Sequence, residues 1–337
     1  MTTRQQKIVD YIQQHGTVKS GELQQYFWIE RTVLYRDLQK LIKLWVIVSM
    51  SKWSYSYRES AKKYLEIPYF SRPEKKYTPN FLKSYSPNET YFLSKQQRNI
   101  LYKATEYLHI STDHYKTNKR IVENALIDLS YSSSNLEGNT YSYLDTEVLV
   151  KYHEVAKNQS KEDTKMILNH KEAIEYLLHY KHELEYRPKT FFEIHILLGR
   201  ELLKAEELWV IRNGLVKIGW SSYTPIDNNY ELEEEFTLFL DKLNNIQDPF
   251  EQSIFILVFI PYFQLFRDIN KRTSRILCNL PLLKHNLPLL SLLQVQSRTY
   301  IDAILAIYEL HDVRLMADLY TDNYILNMDR YVPGRVR

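Results

Sequence analysis

The chain has 337 residues, 44% of them apolar and 25% charged, with a net charge of +3, one cysteine and seven glycines. A lone cysteine, Cys278, excludes an internal disulfide framework and any cysteine-based zinc site, and fits a reducing compartment. Few glycines argue against glycine-rich phosphate loops and doubly wound sheets and favour helices, while so small a charge names no partner for the whole chain.

At ~150 residues per domain the length suggests two or three domains. The opening MTTRQQKIVDYIQQHG has no uninterrupted apolar core, so it is not read as a secretion signal. Residues 3–15 instead carry Ile8, Tyr11 and Ile12 at helical spacing, with Thr3 and Gln6 in capping-box register. A short pattern through Leu23, Tyr26 and Phe27 follows Gly16, then a third with Val33, Leu34, Leu38, Leu41 and Ile42. WVIVSM and KWSYSYRE read as two strands joined by a polar turn. Three short helices and a β-hairpin within residues 1–58 outline a winged helix-turn-helix.

On the third of these helices the apolar face leaves Arg31, Thr32, Tyr35, Arg36, Gln39 and Lys40 outside. Arginine and glutamine address guanine and adenine edges, and lysine and tyrosine hold phosphates. Nine Lys/Arg against four Asp/Glu give residues 1–58 about +5, so the remainder is slightly acidic. The stretch TVLYRDLQKLIKLWVI resembles the recognition helix and wing of DeoR-like regulators. It departs from them at Glu30, where a capping serine is usual, and at Trp45, where a glycine usually precedes the wing. The resemblance implies double-stranded DNA contact through Arg31, Thr32, Tyr35, Arg36 and Lys40; a protein-interaction or dimerisation module, giving a homodimer, is the alternative.

From 59 to 94 the composition shifts to Pro, Lys, Tyr and Ser, and Pro68, Pro73, Pro79 and Pro87 preclude a continuous helix. This is the expected linker, partly packed because of its tyrosines and leucines. Beyond it, helical periods run over 95–109, 118–137, 144–157, 163–184, 190–203, 229–245, 247–264, 271–284, 291–308 and 311–327. The most apolar stretch, Ile254–Phe263, falls short of the ~18 residues of a membrane span and reads as a buried helix. One interruption, VIRNGLVKIGWSSYTPI at 210–226, shows β-branched alternation around Asn213-Gly214, the mark of a hairpin. The expectation is a soluble, cytoplasmic, mainly α protein.

The residues with most chemistry lie at 264–275, QLFRDINKRTSR. Arg272 and Arg275 fall three apart on one face of a new helix, whose first amides and two guanidinium groups suit a polyphosphate. Asp268 among these cations is a sensible magnesium ligand beside phosphate. A solvated basic turn is the plain alternative.

The stretch resembles the Fic family motif His-x-Phe-x-Asp/Glu-Gly/Ala-Asn-Gly/Lys-Arg-x-x-Arg, with Phe266, Asp268, Asn270, Lys271, Arg272 and Arg275 matching. Gln264 replaces the catalytic histidine and Ile269 the small residue. Upstream, SSNLEGN fits the family's inhibitory Ser/Thr-x-x-x-Glu-Gly/Asn through Ser133, Glu137 and Gly138, and 216–225 resembles its flap, which pins a target peptide by strand addition. The similarity spans about 115–325. It implies an all-helical Fic fold over 95–330, with an inhibitory helix at 118–138, a core at about 185–325 and a small β-hairpin flap. It further implies AMP transfer from ATP to a protein hydroxyl. Asp268 would hold Mg, Asn270, Lys271 and Arg272 would grip phosphates, and Arg275 would serve the terminal phosphate or Glu137, not both at once.

Gln264 cannot act as a base near neutral pH, and losing general-base catalysis removes ~10²–10⁴-fold in rate. Ile269 adds a further expectation: a β-branched residue resists positive φ, which would displace the loop. His170, His195 and His285 are conceivable substitute bases, but helical histidines are usually structural and spacing brings none of them to the loop. Three readings stay open: a nucleotide-binding, catalytically impaired Fic protein autoinhibited through Glu137; a DNA-binding regulator whose Fic-like part senses a ligand or dimerises; and a transferase with a replaced base or another phosphorylated substrate.

Overall fold

The computed structural model describes all residues except 16, 44–45, 52–53, 58–60, 107–114, 116–117 and 333–337. Its contacts divide the chain into two units, Met1–Pro68 and Tyr69–Arg337.

In the first unit α1 (Thr3–His15) is followed by β1 (Val18–Lys19), α2 (Ser20–Phe27), α3 (Arg31–Lys43), β2 (Ile47–Ser51), β3 (Ser54–Tyr57) and the short α4 (Ala61–Leu65). The capping pair at the start of α1 is Thr2 and Gln5, one residue before the expected one: Gln5 N donates to Thr2 Oγ1 at 3.2 Å and Thr2 N to Gln5 Oε1 at 2.9 Å. The strands form an antiparallel sheet in the order β1-β3-β2, adding a strand not expected from the sequence. Ile8, Ile12, Leu23, Leu34, Leu38, Leu41 and Ile47 make the core. Tyr26, expected inside, is exposed. Asp37 is buried on α3 and accepts from Arg4 Nε at 2.6 Å and Gln5 Nε2 at 2.8 Å. Burial would raise the carboxyl's pKa, but these bonds outweigh it and the net shift is downward. Trp45 lies outside the described residues.

The second unit begins inside the expected linker. Prolines there break helices but not packing. Leu82, Tyr85, Phe92 and Leu93 are buried, and the carboxylate of Glu251 accepts from Phe92 N at 2.5 Å, Leu93 N at 3.2 Å and Tyr85 Oη at 3.1 Å. This stretch contributes β4 (Lys75–Lys76) and α5 (Pro79–Lys83). The helices that follow are α6 (Lys95–Thr105), α7 (Lys119–Asn135), α8 (Tyr143–Tyr152), α9 (Lys161–Tyr180), α10 (Pro188–Gly199) and α11 (Ala205–Leu208). After β5 (Tyr223–Thr224) come α12 (Asn229–Asn245), α13 (Pro249–Phe263), α14 (Asn270–Leu277), α15 (Asn279–Lys284), α16 (Ser297–Leu310) and α17 (Arg314–Asn327).

Every residue of α13 is buried, because it is apolar on all sides and the other helices pack around it. The periodic stretch 271–284 divides at Cys278 into α14 and α15; Pro281, which has no N–H to continue the ladder, lies just beyond. Among the described residues no helix is long and apolar enough to cross a membrane.

The hairpin expected at 210–226 does not form. Only Tyr223 and Thr224 are strand, and they pair in parallel with Lys75 and Lys76. The reason is a buried arginine. Arg212 donates to the carbonyls of Gly214 (2.6 Å), Gln264 (2.5 Å) and Phe263 (3.3 Å), and to that of Ile226. Its guanidinium thus draws inward the carbonyls of Gly214 and Ile226, within the stretch expected to form the hairpin, while Gly214 turns the chain at φ +82°.

Candidate functional site

The loop between α13 and α14 is fixed at both ends by residues in the left-handed region. Gln264 ends α13 at φ 51°, and Ile269 precedes α14 at φ 68°. Ile269 therefore takes the conformation expected to repel it, at a cost of about 1–3 kcal/mol. Its compensation is visible: the side chain is 2% exposed and packs toward Gly199, where an added Cβ would lie 3.3 Å from Ile269 Cδ1.

Between these points Asn270 holds the loop. Its Oδ1 accepts from Phe266 N at 2.8 Å, and its Nδ2 donates to Phe266 O at 2.8 Å and Gln264 Oε1 at 3.3 Å. The residue expected to grip phosphate thus uses its side chain within the loop. Gln264 is equally engaged, donating from Nε2 to Pro261 O at 2.8 Å and to Tyr308 Oη at 3.0 Å. Arg212 fastens the other side, its backbone N donating to Leu265 O at 3.1 Å and its guanidinium covering the last carbonyls of α13. A cation at a helix C-terminus also meets the negative end of the dipole.

Glu137 and Gly138 lie in the turn after α7, which ends at Asn135 and not at 138. Gly138 turns the chain at φ +88°. The Glu137 carboxylate reaches α14, with Oε1 2.7 Å from Arg275 Nη2 and Oε2 3.1 Å from Lys271 Nζ. Burial would raise its pKa, but Arg275, Lys271 and Arg272 outweigh this and lower it to about 2. It is ionised at any ordinary pH.

Arg275 is held on four sides: Nε donates to Ser133 Oγ at 3.0 Å, Nη2 to Ser133 O at 2.9 Å and to Glu137, and Nη1 to Tyr300 Oη at 3.2 Å. Behind Ser133 stands His170, fully buried on α9, with Nδ1 2.7 Å from Met166 O and Nε2 2.9 Å from Ser133 Oγ. A carbonyl only accepts, so Nδ1 carries the proton and the Ser133 hydroxyl donates to bare Nε2. That leaves a Ser133 lone pair for Arg275. Burial lowers the His170 pKa to about 3, consistent with this neutral form. His195 is the other histidine that tertiary structure brings to the site: it stacks on Phe266 at 3.8 Å, with Nε2 3.2 Å from Asp268 O. Both lie buried behind the loop. His285 only caps its own helix, 2.9 Å from Pro281 O.

Arg272 differs from its neighbours. It is 8% exposed, and its Nε and Nη1 meet no hydrogen-bond partner among the described residues. Burial lowers its pKa against the pull of Glu137 and Asp268. Ile269 at the start of α14 makes no side-chain cap bond, and a helix start left uncapped suits an anion. Asp268 is exposed, with Oδ1 accepting Ile269 N at 2.5 Å. Among the described residues no group of three or more His, Cys, Asp or Glu could cage a metal. A single carboxylate of this kind fits magnesium brought in by phosphates, whose oxygens complete the shell.

In the first unit Arg31, Thr32, Tyr35, Arg36 and Lys40 are all exposed on α3, and Gln39 is half-buried. Ahead of them Trp28 stands 94% exposed at φ 51°. Sequence periodicity had no signal for Arg212, Tyr300 or Tyr308, whose roles depend on partners far along the chain.

Residues 184–282 match the Fic/DOC family. Solved structures with the same fold include Fic-1 of C. elegans (residues 134–508), 19% identical with a TM-score of 0.53, covering 75% of this chain and 70% of that one. A Fic domain-containing signalling protein from Bacteroides thetaiotaomicron is 18% identical with a TM-score of 0.53, covering 69% of this chain and 95% of that one. A Fic family protein from Desulfovibrio desulfuricans is 18% identical with a TM-score of 0.57, covering 74% and 79%. No curated protein matches the sequence.

Proposed function

We propose that the second unit, whose residues 184–282 match a family that usually transfers nucleotides, binds ATP with magnesium at α14 and is held shut by Glu137. One observation carries this reading: the buried guanidinium of Arg272, unpartnered at Nε and Nη1 beside an uncapped helix start. Buried guanidinium nitrogens without a hydrogen-bond partner cost about 1–3 kcal/mol, and a phosphate is the ligand that repays it. The Glu137 carboxylate stands as an internal anion at the same helix. Asp268 would hold the magnesium, which neutralises charge developing on the phosphates.

In AMP transfer a target hydroxyl oxygen attacks the α-phosphorus, the bond to the bridging oxygen breaks, and pyrophosphate leaves. The hydroxyl proton needs an acceptor. The Gln264 amide has no basic lone pair, and its oxygen and nitrogen are both engaged within the loop. This chain therefore binds nucleotide and transfers AMP slowly or not at all. ATP with magnesium should raise the melting temperature, more in Glu137→Gly and not in Arg272→Ala; no shift in any of the three would end the reading. In the Glu137→Gly background, Gln264→His should raise labelling of protein by AMP about 10²-fold or more.

A second reading concerns the first unit. Arg31, Arg36 and Lys40 share the exposed face of a helix whose other face is buried, the arrangement of a DNA-reading helix. The chain is then a regulator whose second unit senses nucleotide. A gel shift that weakens with salt and is lost in Arg36→Ala tests it.

A further inference from the structure

The segment 210–226 was expected to offer a strand edge to a target, and part of that edge is already taken. Lys75 N donates to Ser222 O at 3.0 Å and Tyr77 N to Thr224 O at 2.9 Å, a parallel pairing made by the chain's own residues. Side chains on either side fix it. Arg72 Nη1 lies 3.2 Å from Glu309 Oε1, with both side chains almost wholly buried, and the same carboxylate oxygen accepts from Ser221 Oγ at 2.8 Å and Ser222 N at 3.2 Å. Tyr77 Oη donates to Glu235 at 2.7 Å, and Thr78 N to Tyr262 Oη at 3.0 Å.

We infer that the edge at Ser222–Thr224 is a docking site for an extended basic peptide and that residues 72–78 occupy it as an intramolecular stand-in. The reading rests on 210–226 being the target-docking segment. Main-chain acceptors fix the strand direction, and two buried carboxylates fix the chemistry: Glu309 takes an arginine and Glu235 a tyrosine hydroxyl five residues later. Glu309 Oε2 is buried and meets no hydrogen-bond partner among the described residues, so the carboxylate keeps a second oxygen for a guanidinium presented in bidentate fashion. A target must match this pattern and displace the chain's own copy. This closure is separate from the Glu137 contact.

The probe is a fluorescent heptapeptide copying residues 72–78, Arg-Pro-Glu-Lys-Lys-Tyr-Thr. Replacing Lys75 and Tyr77 together by proline removes the two amide donors. That variant should bind the peptide at least ten times more tightly than the unaltered chain, and Glu309→Gln in the same background should weaken binding again. Equal binding by both chains, or binding by neither, overturns the inference. Should the double variant not fold, Arg72→Gln serves: amide exchange at Lys75 and Tyr77 should quicken about tenfold while α13 stays protected, and unchanged exchange overturns it. Melting with ATP, measured alongside, reports on the nucleotide site alone, so the two readings fail separately.

Discussion

Two arginines three residues apart on α14 have opposite circumstances. Arg275 is saturated by Ser133, Tyr300 and Glu137, whereas Arg272 is buried with its Nε and Nη1 unpartnered. Arg275→Ala should therefore cost about 3–5 kcal/mol in urea unfolding, because a buried charge network loses its centre. Arg272→Ala should cost far less, and its effect should appear in ATP binding. The pH response distinguishes the carboxylates. Glu137, lowered to about 2, contributes stability that is complete above its unfolded value near 4.5 and fades as pH falls toward 2. The gap between the native chain and Glu137→Gln should thus be flat from pH 5 to 8 and close in acid. Burial pushes Glu251 the other way, up to about 7. Its contribution is present below pH 4.5 and is lost as pH rises through 7, so Glu251→Gln should flatten the stability profile across that window.

Among elements, the α13–α14 loop and the 210–226 segment are one construction, joined by Arg212. Five polar contacts to carbonyls satisfy this arginine and its amide. Arg212→Ala should cost about 3 kcal/mol or more by leaving buried carbonyls unpaired. Arg212→Lys should recover little, since an ammonium lacks the planar fork that reaches carbonyls on three sides. Hydrogen exchange at 212–226 and 264–269 should rise together in both variants; a rise in one segment alone would show that they are not coupled.

For the molecule as a whole, the division at Pro68 gives each unit its own core. Residues 69–337 expressed alone should keep the ATP response of the full chain, read as the same rise in melting temperature. DNA affinity, if carried by Arg31, Arg36 and Lys40, should fall with salt at a log–log slope of about −0.9 per phosphate neutralised, and disappear in the shorter chain.

The sequence by itself determined most of the long helices, the three-helix outline of the first unit and the motif at 264–275, because periodicity and fixed spacing are local properties. It also pointed to Glu137 as the partner of Arg275, through spacing familiar from a family. Local pattern failed where distant groups compete for the backbone. Asn213-Gly214 signals a hairpin, yet Arg212 gathers the carbonyls and residues 75–76 take the edge. Prolines, tyrosines and leucines marked 59–94 as a partly packed linker, but not the partner that holds it, Glu251 at Phe92 and Leu93. Ile269 adopts positive φ because Gly199 leaves room for its side chain. Only tertiary structure could decide that Asn270 serves the loop and that Arg272 alone of the two arginines has guanidinium nitrogens left unpartnered, since both depend on which neighbours arrive first at each polar group.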